Sequence, residues 1–379
     1  MTAKKQKARM MAKGRTGLLP CLSVSNDMKP MFTLSLLALF GFLLLLGGCA
    51  PQNNWALQPG AGDPEIQAIL QEVSCRYKIV GMGAGIVRRD GDTDPAVVGW
   101  NKAGGETPVG LNDLWHIGSC SKAMTATLAA KLVEEGRLRW DTTLAEVFPE
   151  LAEKLDSVKR GITLEQLLSH RSGLPLSPRK WPEQKVEDAA GQRLAVLRQV
   201  PGAKLVGPPG ARFSYSNFGY ILAGAMIEKI TGEQFKDVMR ARLFARLDMP
   251  SPEYEGTHAF GEGGVIWSHR PSGRPVPRWR TPFNDRPSLR PAGSVRCNLG
   301  DWAKFIRHHL MGQMSGSDYL QAKTYRELHR SRGDNYALGW AVVQRDWGRH
   351  RTTARRLQWL ERIRRVARAT EGLCRLRMR

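Results

Sequence analysis

HIGSCSKAMTATLAAKLVEEGRL, residues 116–138, sets serines, a cysteine and a lysine against the start of a helix. From Met124 onward Ala, Leu and Val recur at helical spacing and Gly136 ends the pattern, so one long helix with a glycine stop is predicted. Ser119 and Lys122 stand three apart and project from one helix face. The positive field of a helix N-terminus favours a developing alkoxide on such a hydroxyl, and a buried lysine that surrenders its charge serves as base. Ser119 equally suits a helix cap, so a catalytic and a structural reading stand side by side. A second Ser-x-x-Lys, Ser177 to Lys180, has Pro178 directly after the serine and no amphipathic helix behind it, and is set aside.

About a hundred residues on, FSYSNFGYILAGAMIEKITG (213–232) carries the one Tyr-x-Asn of the chain, Tyr215 and Asn217, ahead of another amphipathic helix. A phenol relays protons where an ammonium stabilises its phenolate, and an asparagine can position both a lysine and a substrate amide. The plainer reading is a core tyrosine with a turn asparagine.

The chain has 379 residues, 42% of them apolar, enough for one large domain or two small ones. Its formal charge of +22 sits at the ends: residues 1–30 carry +6 and residues 348–379 carry +9, leaving +7 for everything between. The body is therefore only mildly basic, and no nucleic-acid partner is expected. A basic start, the apolar run MFTLSLLALFGFLLLLGG from Met31, and LGGC ending at Cys49 read as an export signal; translation from Met28 would give a more ordinary one. An uncleaved anchor helix is the alternative. The expected organisation is a signal over 1–49, a Pro- and Gly-containing tether over 50–63, a folded domain over 64–345 and an Arg-rich tail over 346–379.

Within the domain, IQAILQEV (66–73) is predicted helical, with a strand pair joined by RDGDTD (89–94) after it. Asp141, Thr163 and Asp301 are predicted helix N-caps, residues 250–292 a long loop excursion, and YALGWAVVQRDW (336–347) a strand. Cys75, Cys120, Cys297 and Cys374 show no metal-ligand spacing and name no disulfide pairing.

Five blocks in order carry a family resemblance: residues 115–151, 162–175 (ITLEQLLSHRSGLP), 213–235 with LFARLDM at 243–249, 291–305 (PAGSVRCNLGDWAKF) and 336–342 (YALGWAV). Together they resemble the serine beta-lactamase-related superfamily, which contains class C beta-lactamases, D-Ala-D-Ala carboxypeptidases, and related esterases and D-amino-acid amidases. The resemblance implies an α/β (α+β) fold, an antiparallel sheet flanked by helices plus an all-helical subdomain. It implies an acyl-enzyme mechanism on an amide, lactam or ester carbonyl of a small molecule or peptide. Ser119 would be the nucleophile, Lys122 its proton partner, Tyr215 the second acid/base group and Asn217 a positioning residue. The Ser119 N–H would be one oxyanion donor. Ser121 and Cys120 fit as neighbours, a Cys120 nucleophile being the weaker reading, and His170 with Gly173 match a structural turn of the family. No metal or cofactor is implied. The N-terminal segment resembles a bacterial lipoprotein signal, which implies lipidation at Cys49 and attachment to the cell envelope, in the periplasm at the outer membrane.

The family's third element, Lys or His, any residue, then Gly, is lacking: after Trp340 only Gly348 and Gly372 remain, with Asp346 and Thr370 two positions before them. The 39 residues after Trp340 are too few for the remaining strands and closing helix of the family sheet. From 348 onward there are eleven Arg and no Lys, with Leu357, Leu360, Ile363 and Val366 or Ala367 forming one helical stripe. The expectation is a change of reading frame near 346–350 that leaves the sheet with an unpaired edge. The competing readings are a non-catalytic envelope lipoprotein binding cell-wall peptides, a decayed gene product, and an anchored protein whose tail binds anionic surfaces.

Overall fold

Alternation along one hairpin sets the first sheet. β2 (Gly81–Val87) pairs antiparallel with β3 (Thr93–Gly99) along its whole length, with Met82 opposite Val98 and Ala84 opposite Ala96. Successive strand residues face opposite sides. Met82, Ala96 and Val98 accordingly pack with Ile66 and Leu70 of α1 (Pro64–Tyr77), the helix expected there. On the other face a Cβ on Gly83 would fall 2.8 Å from Cδ1 of Leu299, the first residue of α11 (Leu299–Ser315). The hairpin is thus sandwiched between the helix that precedes it and one that comes late in the chain. β1 (Gly60–Gly62) adds to the free side of β3, which corrects the expected tether over 50–63: from Gly60 the chain already belongs to the sheet. Its three residues have no apolar alternation, so only pairing to β3 marks them as a strand.

The computed structural model describes residues 58–88, 93–182, 188–254, 264, 266–270, 272–276, 286–345, 348–352 and 375–376. The expected signal segment, Cys49 and the helical stripe from Leu357 to Ala367 lie outside them. Among the described residues no helix is long and apolar enough to cross a membrane, and no disulfide joins Cys75, Cys120 and Cys297.

The helical part is built around α2 (Ser121–Glu134), whose residues from Ser121 through Ala130 are all buried, and α8 (Asn217–Thr231), buried from Phe218 through Ile227. Around them stand α3 (Leu144–Val147), α4 (Pro149–Ala152), α5 (Ser157–Arg160), α6 (Leu164–Leu168), α7 (Ala189–Leu197) and α9 (Phe235–Met239). α10 (Arg290–Gly293) presses on α8 where a glycine permits it: a Cβ on Gly224 would lie 2.2 Å from Pro291 Cγ. β4 (Trp115–His116) and β5 (Arg296–Cys297) form a two-residue ladder beside α2, and α12 (Ala322–His329) packs on α11.

Two expected caps move. Thr143, not Asp141, caps α3 in a capping box with Glu146, while Asp141 pairs with Arg139. Asn298, not Asp301, caps α11; Asp301 instead accepts from the Ser251 N–H at 2.7 Å. Thr163 caps α6 as expected. Among its described residues YALGWAVVQRDW is a strand only over β6 (Ala341–Arg345), because Gly339 at φ +82° turns the chain and a bond from Ala337 N to Trp340 O closes that turn at 2.8 Å. β6 pairs with β7 (Gly348–Thr352), and β7 with β8 (Arg375–Leu376), so the Arg-rich segment begins as a strand. β2 is an edge strand among the described residues.

Candidate active site

Ser119 sits in a short 3-10 turn, Gly118–Cys120, that leads into α2. Gly118 has φ +55°, a conformation side chains rarely adopt, and it swings the serine out of the preceding strand. Neither this turn nor α2 has a side-chain cap, so the capping reading of Ser119 fails. Its hydroxyl instead meets two groups. Tyr215 Oη donates to Ser119 Oγ at 2.7 Å, and Lys122 Nζ lies 3.3 Å from the same oxygen. Lys122 Nζ also donates to Asn217 Oδ1 at 2.8 Å and to the Ala292 carbonyl. The four expected residues are therefore brought together, from the turn before α2, α2 itself, the loop before α8 and the first position of α8. Ser119, Tyr215 and Asn217 are half-buried, while Lys122 is 1% exposed.

Burial dominates the electrostatics. It pushes the Lys122 ammonium down to about 7, against a smaller opposing pull from Cys120. It raises the Tyr215 phenol to about 12, with the bond to Ser119 working the other way. At neutral pH the phenol is a donor, and the lysine is poised between charged and neutral forms. Lys122 has three acceptors around it. As an ammonium it has three protons to match them; as a neutral amine it keeps two for Asn217 and Ala292 and turns a lone pair on Ser119. Both lysine and phenol bonds end on Ser119 Oγ, which favours the serine over Cys120 as nucleophile.

The residues after Pro291 do more than the sequence disclosed. Thr125 Oγ1 donates to the Pro291 carbonyl at 2.8 Å, Val295 N–H to Ser121 Oγ at 3.1 Å, and Ile117 N–H to the Val295 carbonyl at 3.1 Å. With the Ala292 carbonyl on Lys122, this segment clamps the nucleophile turn from the side. YALGW acts from below: a Cβ on Gly339 would lie 2.7 Å from Ala123 Cα and 2.8 Å from the Lys122 carbonyl oxygen. Both segments were legible as blocks, but backbone carbonyls and a glycine contact carry no residue-type signal of their role. β7 reads Gly-Arg-His-Arg-Thr, and the Lys/His-x-Gly triplet is absent from it.

Over residues 66–360 the chain matches the family described as Beta-lactamase. It belongs to the beta-lactamase family. The family is one of serine hydrolases, and the chain is similar to penicillin-binding protein 4 of Amycolatopsis lactamdurans, 29% identical over 273 residues, 68% of this chain and 67% of that one. An unguisins hydrolase of Aspergillus campestris is 28% identical over 267 residues, 65% of this chain and 47% of its own. The chain thus spans about half the length of some curated relatives it matches. Among solved structures, the octameric penicillin-binding protein homologue from Pyrococcus abyssi superposes with TM-score 0.61 at 22% identity, covering 76% of this chain and 66% of that one. D-alanine carboxypeptidase AmpC from Burkholderia cenocepacia gives TM-score 0.60 at 21% identity, covering 82% and 78%. These likenesses establish the beta-lactamase-type mixed helix and sheet fold.

Proposed function

We propose that the protein is a serine hydrolase that takes an acyl group onto Ser119 from an amide, beta-lactam or ester carbonyl and passes it to water. The observation that carries this reading is the convergence of Lys122 Nζ and Tyr215 Oη on one hydroxyl oxygen. Neutral Lys122 takes the Ser119 proton as Oγ attacks the carbonyl carbon. The oxyanion is met by the Ser119 N–H, at the start of a helix where the first N–H groups lack an intrahelical acceptor. As the tetrahedral species collapses, the Tyr215 phenol gives its proton to the departing nitrogen or oxygen, and Lys122 returns a proton to the phenolate. Water then attacks the ester, the same two groups moving its proton, and Ser119 Oγ leaves protonated. Asn217, with Oδ1 on Lys122, has its amide nitrogen left to orient a substrate carbonyl. The names of the penicillin-binding and carboxypeptidase relatives support cell-wall peptides as the first substrate class to try. An exported, lipid-anchored placement fits that class.

One observation favours a second reading, a binder of cell-wall peptides without turnover: the absence of Lys/His-x-Gly from β7. The test is turnover of a chromogenic aryl ester, a cephalosporin and a D-Ala-D-Ala peptide by wild type and Ser119→Ala. Hydrolysis lost in the variant supports the enzyme. Peptide binding that is equal in both proteins, with no turnover in either, supports the binder.

A further inference from the structure

His170 brackets the residue that donates to Ser119. Its carbonyl accepts from the Ser214 N–H at 2.7 Å, its Nδ1 accepts from the Ser216 N–H at 3.1 Å, and its ring lies 4.3 Å from the Tyr215 ring between them. Three successive residues of the loop before α8 are thus held by one side chain and its own carbonyl. The imidazole is fully buried in an aromatic box, with ring centroids of Tyr336 at 4.9 Å, Tyr220 at 5.1 Å and Phe213 at 5.6 Å. The next residue strengthens the hold: Arg171 donates to the Gly210 and Ala211 carbonyls and pairs with Asp334 at 2.6 Å, whose carboxylate also accepts from the Phe213 N–H.

We propose that His170 is the positioning residue that fixes the Tyr215 phenol on Ser119, acting through its Nδ1 acceptor rather than as a filler of the core. The bond from Ser216 N–H requires a lone pair on Nδ1, which assigns the ring proton to Nε2. Nε2 is buried with no hydrogen-bond partner among the described residues. A leucine or phenylalanine would supply the packing but no acceptor, and the buried Ser216 N–H would be left unpaired. Burial, reinforced by the charge of Lys122, holds the ring well below the usual histidine range and keeps that lone pair available. The backbone of His170 has φ +60°, which asparagine tolerates better than most residues and β-branched or bulky residues do not. Asparagine also places an acceptor oxygen near the Nδ1 position; glutamine places its amide near Nε2.

The inference rests on the acyl-enzyme reading for its catalytic consequence, but not for its geometry, so two readouts are paired. The protein is labelled with 3-fluorotyrosine and the Tyr215 fluorine resonance is assigned by its loss in Tyr215→Phe; the other six of the seven tyrosines report on the fold. The burst of Ser119 acylation by an aryl ester is followed in the same samples. His170→Asn is expected to keep the Tyr215 resonance and an acylation rate within about threefold of wild type. His170→Gln and His170→Leu are expected to shift or broaden that resonance alone and to slow acylation by about tenfold or more, in the limiting burst rate constant rather than in its dependence on ester concentration. If His170→Leu does not fold, Asn against Gly decides, since both accept the positive φ and only asparagine carries the acceptor. A Tyr215 resonance unchanged in Gln, Leu or Gly, or Asn as damaged as Gly, overturns the proposal. Absence of any burst in wild type counts against the acyl-enzyme reading, while the fluorine spectra still decide the role of His170.

Discussion

Replacing Lys122 with methionine isolates what burial does to an ammonium at this site. The lysine falls from an ordinary 10.5 to about 7 on folding, at 1% exposure. A displacement of that size corresponds to about 5 kcal/mol, at about 1.4 kcal/mol per pH unit. The sign follows from proton counting. Between pH 7 and 10.5 the unfolded chain holds a proton on this lysine and the native chain does not. Stability therefore rises with pH across that window, is lowest below it, and levels off above it. Methionine has no proton to lose, and every other titrating group is common to both proteins. Urea melts of the two at matched pH are thus expected to diverge, wild type gaining about 2 kcal/mol on the variant from pH 7, where the native lysine is half protonated, to pH 9. The variant also strands the buried Ala292 carbonyl, at a cost of about 1–3 kcal/mol, but that cost does not depend on pH. Parallel stability curves over this range would show that Lys122 keeps its ordinary affinity for a proton, and the assignment of Lys122 as a neutral base would fall with them.

The same titration governs acylation: the burst rate on an aryl ester is expected to climb through pH 7 and hold a plateau, since the Tyr215 phenol deprotonates only near 12. A rate independent of pH from 5 to 9 would contradict it. Gly339→Ala drives a Cβ to 2.7 Å from Ala123 Cα at φ +82°, and thermal melts should show a loss of about 2–4 kcal/mol. Arg193, with a fully buried side chain bonded to both Glu228 carboxylate oxygens, leaves a stranded carboxylate when changed to leucine, a loss of about 3–5 kcal/mol in urea unfolding. Thr143→Ala removes the α3 capping box and should cost about 1 kcal/mol by the same method.

The chemistry was legible in the sequence because its residue types are scarce in that arrangement. Ser119, Lys122, Tyr215 and Asn217 each precede or open a helix predicted from its apolar pattern, though α2 and α8 prove buried all round over ten residues, and the structure brings the four within hydrogen-bonding distance. Pattern reading does less well within a turn of a helix start. At α3 and α11 an acid three residues inside the helix, or two before its first turn, competes with the true cap, and only backbone geometry separates Thr143 from Asp141 and Asn298 from Asp301. Backbone groups were invisible for a different reason. The Ala292 carbonyl that receives Lys122 could belong to any residue, and its position depends on Gly224 admitting Pro291 against α8. His170 was visible as part of SHRSGLP, but its hold on residues 214–216 depends on a positive φ and a buried aromatic box, both products of the fold.

The central claim is a covalent one, and intact-mass spectrometry with peptide mapping tests it most directly. After brief exposure to an activated aryl ester or a beta-lactam, wild-type protein is expected to gain one acyl group, located on the peptide containing Ser119 and absent in Ser119→Ala. An adduct on Cys120 instead, or no adduct on wild type at any pH from 6 to 9, would contradict the account.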